Sequence, residues 1–215
     1  MPKKAAVKRR YNSSHRKEQA LQTQRQIVEA ARQLFLRRGY MGATIDAIAQ
    51  EAGVAVETVY AAFGNKRAIL SRLIEVSLVG DEKPIPLLQR EGPQAVMNET
   101  DQQRQVELFA AGIYEIMSRM TPIFEIMRVA AKTDTEIARM YENILNNRVQ
   151  GLMAFIQALT RNGPLREGIT AEEAAETVWT LTSADVITLL ITNRGWSAEK
   201  YKRWLTNVLT SFLLP

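Results

Sequence analysis

Residues 44–63 read TIDAIAQEAGVAVETVYAAF. Two short helical patterns flank Gly53 in this stretch, which is the plan of a helix-turn-helix. Thr44 is a good N-cap, and Asp46 follows in the first turn. Ala49 is small where the two helices must cross closely. Gly53, four residues on, tolerates the positive φ that the turn requires. Val59 and Phe63 can bury one side of the second helix against the first. Ile45 and Ile48 fill the face toward a preceding helix.

That preceding helix is legible in IVEAARQLFLRRGY, residues 27–40. From about Ala20 onward, Ile27, Ala30, Ala31, Leu34 and Phe35 recur at three- and four-residue spacing, one face of a helix. Gly39 closes it, with Arg37 and Arg38 well placed for the helix dipole. Downstream, Gly64 and Asn65 break the chain. Asn65 then caps a fourth helix running from Lys66 to about Val79, striped by Ile69, Leu70, Leu73 and Ile74.

Residues 22–74 resemble the DNA-binding domain of tetracycline-repressor (TetR) type regulators. The resemblance rests on residues 27–40 together with ATIDAIAQEAGVAVETVYAAFGNKRAIL, residues 43–70. It covers about a quarter of the chain. The family pattern has a threonine opening the second helix, AGV at the turn, an aromatic late in the third helix, then phenylalanine, then a lysine opening the fourth. Here these are Thr44, Ala52-Gly53-Val54, Tyr60, Phe63 and Lys66. The resemblance implies a DNA-binding regulator that dimerises through its last two helices and senses small molecules in its C-terminal part.

A recognition helix in the major groove presents its N-terminal residues to base edges. Those are Val56, Glu57 and Thr58 here, with Ala61 one turn on. Thr58 can hydrogen-bond a base or a phosphate, and Glu57 can accept from a cytosine amino group. Val56 or Ala61 can touch a thymine methyl. Lys66 and Arg67 place two cations in a helix first turn, which is unfavourable until a phosphate sits there. Thr44 and Tyr60 carry hydroxyls suited to phosphate, as the resemblance also implies. One departure stands out. The two positions after Tyr60 are Ala61 and Ala62, where the family often has a bulky, basic or histidine side chain, and the third helix carries no Lys or Arg.

Charge sharpens this reading. The net charge is +5. Residues 1–80 hold 14 Lys/Arg against 6 Asp/Glu, and residues 81–215 hold 14 against 17. Only the first part suits a polyanion. Within it, residues 1–41 carry 11 against 2, while residues 42–80 carry 3 against 4. The surplus therefore lies in residues 1–18, read as a basic disordered arm, and in the first helix. Lys8, Arg9 and Arg10 are candidates for minor-groove entry. Discrimination between sequences falls to Glu57, Thr58 and DNA shape.

The stretch GDEKPIPLLQREGP, residues 80–93, has three prolines and two glycines and reads as a linker or hinge. It separates a helix-turn-helix domain, residues 19–80, from a ligand-binding and dimerisation domain, residues 81–215. The second domain reads as all helix. A stop and restart is expected at Thr121-Pro122, with Pro122 at a first helical position. Asp134 caps a long helix, and Thr170 with Glu173 opens another of about 171–192 by a capping box. Ser197 caps the last. Phe109, Tyr114, Met117, Phe124, Met127, Met153 and Trp179 are candidates to line a pocket for an apolar or aromatic effector. Leu181, Ile187, Leu190, Tyr201, Trp204, Leu205, Val208 and Phe212 are candidates for a homodimer interface.

Composition excludes other classes. There is no cysteine and one histidine, His15, so thiolate or histidine metal sites and histidine triads have almost nothing to work with. No metal or cofactor and no catalysis are expected. The longest uncharged runs, 149–160 and 204–215, are too short to span a bilayer, which needs ~20 residues. The sequence thus predicts an all-α chain: an N-terminal three-helix DNA-binding domain with a helix-turn-helix, then a C-terminal bundle. It predicts a cytoplasmic homodimeric repressor that binds a palindromic duplex and is released by a ligand. The alternatives are an effector-independent, architectural DNA-binding protein, and a helical enzyme or carrier whose basic region meets another anion.

Overall fold

A computed structural model describes residues 7–215, with side chains from His15 onward. The described residues are about 80% helical, and no strand occurs among them. It divides into two compact units, residues up to Ile74 and residues Glu75–Pro215.

The first unit contains α1 (Val7–Gly42), α2 (Ile45–Ala52), α3 (Val56–Phe63) and most of α4 (Lys66–Val79). Helix α1 begins well before the expected start near Ala20, because extending a nucleated helix gains one hydrogen bond per residue ordered. Its regular winding breaks at Gly39, which sits at φ 68° where the sequence placed the stop. Ile27, Ala31, Leu34 and Phe35 from α1 are buried with Ile48, Ala49, Val59, Ile69 and Leu70. Thr44 caps α2 by accepting from the Ala47 N–H at 3.1 Å. Gly53 sits at φ 68°, ψ 32°, and its N–H closes α2 on the Ala49 and Gln50 carbonyls. A side chain there would be strained, which is why this turn requires glycine. Asn65 caps α4 as expected, accepting from the Ala68 N–H at 2.9 Å.

The second unit takes the end of α4, then α5 (Glu91–Asn98), α6 (Gln102–Ala130), α7 (Thr135–Thr160), α8 (Ala171–Leu181), α9 (Ala184–Ile187), a π-helical segment (Thr188–Asn193) and α10 (Ala198–Leu213). Helix α6 is central and packs on α5, α7, α9 and α10. Asp134, Thr170 and Ser197 cap α7, α8 and α10 as the sequence predicted, Thr170 in a full capping box with Glu173.

Three expectations need correction. First, residues 80–93 are tied down rather than slack. The Arg90 guanidinium donates to both Asp81 carboxylate oxygens at 2.8 Å and to the Lys83 and Ile85 carbonyls at 3.1 Å. Gly80, at φ 83°, lies so close to Arg119 that a Cβ there would meet Cζ at 3.1 Å. Second, α6 does not stop at Pro122 but runs through it. Apolar residues on both sides, from Met117 and Met120 to Ile123 and Met127, are buried and hold the helix together. Thr121 Oγ1 donates to the Met117 carbonyl at 2.7 Å. Third, the helix expected over 171–192 breaks at Thr182-Ser183 with a bend of 41°. Thr182 is buried and donates to the Val178 carbonyl, while Ser183 accepts from the Val186 N–H and starts α9.

Candidate nucleic-acid interface

The helix-turn-helix displays one face of α3 and locks the other. Val59 is buried in the core of the unit, while Glu57, Tyr60 and Ala61 are exposed together at the spacing of a single helical face. Tyr60 is 53% exposed. Val56 and Thr58 are half-buried at the edge of that face. The N-cap of α3 is Ala55, which offers no side-chain acceptor, so first-turn N–H groups are left for an external oxygen. Thr44 is exposed, and its hydroxyl proton remains available after the oxygen has capped α2.

The two cations at the start of α4 part company. Lys66 Nζ donates to the Tyr40 carbonyl at 2.7 Å and lies 4.3 Å from the centroid of the Tyr40 ring. This ties the start of α4 to the end of α1, while the ammonium keeps further protons to donate. Arg67 is exposed and engages no other side chain, so it is the first-turn cation open to a phosphate. Arg37 and Glu51 pair at 2.7 Å on the surface and tie α1 to the end of α2. The side chains of Lys8, Arg9 and Arg10 lie outside the described residues.

In the second unit the expected pocket residues scatter. Phe109 stacks on Phe155 with centroids 3.9 Å apart, and Met117 and Met127 are buried core. Tyr114 packs on Tyr201, and Met153 is half-buried. Of that set only Phe124 lines a cleft of about 250 Å³, together with Thr121, Pro122, Glu125, Arg128, Tyr141, Ala184, Asp185, Thr188 and Thr192. This cleft holds charged as well as aromatic groups, unlike the apolar lining expected. Met and Phe at core spacing belong to the core because nothing but packing distinguishes them.

Trp179 leads to a residue that sequence reading passed over. The Arg148 guanidinium lies 5.5 Å from the Trp179 ring centroid and donates through Nη2 to the Trp179 carbonyl at 2.9 Å and to Thr182 Oγ1. It takes the carbonyls at the end of α8, where a cation is favoured. Burial lowers its pKa to about 10, and no carboxylate offsets that cost. Buried Arg148 Nε and Trp179 Nε1 have no hydrogen-bond partner. The signal was present: Arg148 fills the gap in the α7 apolar stripe between Ile144 and Leu152.

Of the expected interface residues, Tyr201, Leu205 and Ile187 are buried within the chain itself. They serve the bundle core, since Tyr201, Leu205, Leu209 and Leu213 form one continuous stripe. The Tyr201 hydroxyl donates to the Leu181 carbonyl at 3.3 Å, and burial pushes its pKa well above the ordinary tyrosine value. Leu181, Leu190, Trp204, Val208 and Phe212 remain half-exposed, and Leu189, not singled out from the sequence, is 55% exposed.

The class this geometry defines is an all-α chain with an N-terminal helix-turn-helix unit. Residues 27–73 match the family model for bacterial regulatory proteins, tetR family. No match is found among curated proteins. Solved structures share the fold along nearly the whole chain. NalD, the secondary repressor of the MexAB-OprM multidrug efflux pump in Pseudomonas aeruginosa, is 19% identical with a TM-score of 0.67, covering 92% of this chain and 98% of its own. A transcriptional regulator from Saccharomonospora viridis in complex with choline is 18% identical at TM-score 0.67, covering 90% and 98%. FadR from Bacillus subtilis in complex with stearoyl-CoA is 18% identical at TM-score 0.63, covering 86% and 97%.

Proposed function

We propose that the chain is a DNA-binding transcriptional repressor that acts as a homodimer and is released by a small molecule. The observation that carries the reading is the exposed α3 face, Glu57, Tyr60 and Ala61, opposite a locked Val59, with the exposed Arg67 in the first turn of α4. Such a face reads base edges with Glu57 and Ala61 and takes phosphates with Tyr60, Thr44 and Arg67. Lys8, Arg9 and Arg10 add affinity from the neighbouring groove. Lys66 acts at one remove, by holding α1 and α4 in place.

A second copy of the chain is the partner of the half-exposed stripe of Trp204, Val208 and Phe212 with Leu181 and Leu190. Isologous pairing calls for a palindromic operator with half-sites roughly 34–36 Å apart, or a multiple of that. The ligand reading draws support from the cleft in the second unit and from the small molecules named with the neighbours. Choline and stearoyl-CoA are chemically unlike, so the fold leaves ligand class to local side chains. The reading contains no catalytic step, and its DNA partner places the protein in the cytoplasm.

Sequencing of the genomic DNA bound by the protein supplies the operator. On that operator, Glu57→Ala is expected to relax preference at one base pair and Arg67→Ala to weaken all sequences alike. A protein that is monomeric by light scattering at micromolar concentration, or that selects no sequence, overturns the reading.

A further inference from the structure

The cleft lined by Phe124 and Tyr141 is framed by two departures from regular helix. On one side Pro122 interrupts the hydrogen-bond ladder of α6, since a proline nitrogen has no proton to give. On the other side residues 188–193 wind as a π-helix, and Thr188 and Thr192 from that segment face the same space. π-helical turns cost stability and gather at functional sites. Two such features, far apart in sequence, open onto one cavity.

The lining has a definite chemistry. The Phe124 and Tyr141 rings lie 6.0 Å apart at 68°, so the two meet edge to face in one wall of the cleft. Glu125 and Asp185 bring two carboxylates and Arg128 one cation. Arg128 is committed: its Nε and Nη2 donate to Glu125 Oε2 at 3.1 and 2.7 Å. Two carboxylates against one cation leave the cleft one negative charge in excess, and the exposed Asp185 carboxylate acts electrostatically on both Arg128 and Tyr141. Burial and the Asp185 charge both push the Tyr141 hydroxyl above its usual value, so the ring stays neutral.

We infer that this cleft binds a small organic cation, an alkylated ammonium whose charge pairs with Asp185 and whose substituents pack on Phe124 and Tyr141. Aromatic faces attract cations through the ring quadrupole, and the attraction grows as water is excluded. The threonine hydroxyls of Thr121, Thr188 and Thr192 close the polar rim. An anion would enter a cleft where two carboxylates outnumber the one cation, Arg128. A purely apolar ligand would bury Asp185 beside it. The inference deepens the ligand reading above and rests on it only for the release from DNA, because binding itself is measured without DNA.

The test is calorimetric titration of the full chain with benzyltrimethylammonium, with neutral benzyl alcohol and anionic benzoate as comparisons. The ammonium is expected to bind at least tenfold more tightly than either. Asp185→Asn and Tyr141→Leu are each expected to weaken it about tenfold while leaving thermal melting close to wild type. Equal or tighter binding of benzoate or benzyl alcohol overturns the inference, as does no ammonium binding or an affinity unmoved by either variant. An ammonium affinity that rises as the protein is diluted means that a second copy fills the cleft, and also overturns it. Ammonium binding that leaves operator affinity unchanged keeps the site and removes the release mechanism.

Discussion

The two units solve the same packing problem in opposite ways. The first sets one long helix, α1, against short helices that begin and end on dedicated residues: Thr44, Gly53 and Asn65. Its interior is apolar throughout, from Ile27 and Phe35 to Ile48 and Leu70. The second carries local irregularities: a proline inside the continuous α6, a break at Thr182-Ser183 after α8 and the π-helical segment. All buried side-chain polar atoms without a partner among the described residues lie there: Arg148 Nε, Trp179 Nε1 and Thr210 Oγ1. An unpaired buried donor costs the full desolvation of that group. The contrast is between a first unit with an apolar, satisfied interior and a second that carries unpaired buried polar groups and irregular helices; under the proposed function that second unit is where a ligand shifts a population.

The sharpest way to break this comparison is to damage the rigid core. Phe35→Ala empties a fully buried site packed against Tyr40, with ring centroids 5.4 Å apart. It should cost about 3–5 kcal/mol in urea unfolding and abolish operator binding at 37 °C. A first unit that absorbs the change for under ~1 kcal/mol is not the dry, well-packed head described.

The opposite outcome is expected for Arg148→Met in the second unit. The change removes a buried charge with no carboxylate partner and keeps most of the volume. Stability should lie between no change and a gain of about 2 kcal/mol. The pH dependence has a definite sign. Folded Arg148 binds its proton less tightly than the unfolded chain does, so wild-type stability attributable to it rises between about pH 10 and the ordinary arginine range. The advantage of Arg148→Met is therefore full below pH 10 and shrinks above it in alkaline melts. A loss of several kcal/mol instead would mean that Arg148 is needed to hold the end of α8.

Arg67 and Lys66 give a smaller but cleaner contrast within the first unit. Arg67→Ala should lower the slope of log affinity against log salt by about 1 and leave melting unchanged. Lys66→Ala should lower the melting temperature, because Tyr40 loses both its hydrogen-bond donor and the cation on its ring. Equal salt slopes for the two variants would show that Lys66 reaches DNA directly.

The same contrast decides what could be read from sequence. Helix caps and turns act over three or four residues, so Thr44, Gly53, Asn65, Asp134, Thr170 and Ser197 were legible, and with them most of the architecture. The exposed face of α3 was legible too, because Val59 and Glu57 differ in kind. The contact of Lys66 with Tyr40 was not legible, since only the fold brings Tyr40 beneath it. The cleft was not legible, because Thr121, Tyr141, Asp185 and Thr192 meet only through tertiary packing. Its boundaries are also places where local rules fail: α6 continues through a proline, and the helix expected over 171–192 bends where Arg148 captures the Trp179 carbonyl.

The smallest effect concerns residues 80–93, where sequence predicted a slack hinge and the structure has a clamp. The Arg90 side chain is largely covered, while Asp81 is more open, at 14% and 42% exposure. The Arg90 guanidinium, with the Lys83 backbone N–H, holds the Asp81 carboxyl well below the usual carboxylate range. The folded state therefore binds that proton less readily than the unfolded chain. The contribution to stability is complete above the ordinary carboxylate value near 4 and is lost progressively as pH falls below it. Asp81→Asn should remove that dependence. Thermal melts of wild type and variant should differ by a constant amount from pH 7 to about pH 5, and the gap should narrow on further acidification. Exposed pairs contribute little, so the shift at neutral pH should be small. A gap that stays constant down to pH 3 would mean that the Arg90–Asp81 contact contributes nothing. The stretch would then be the free hinge that its prolines and glycines suggest, and the second unit would start at α5.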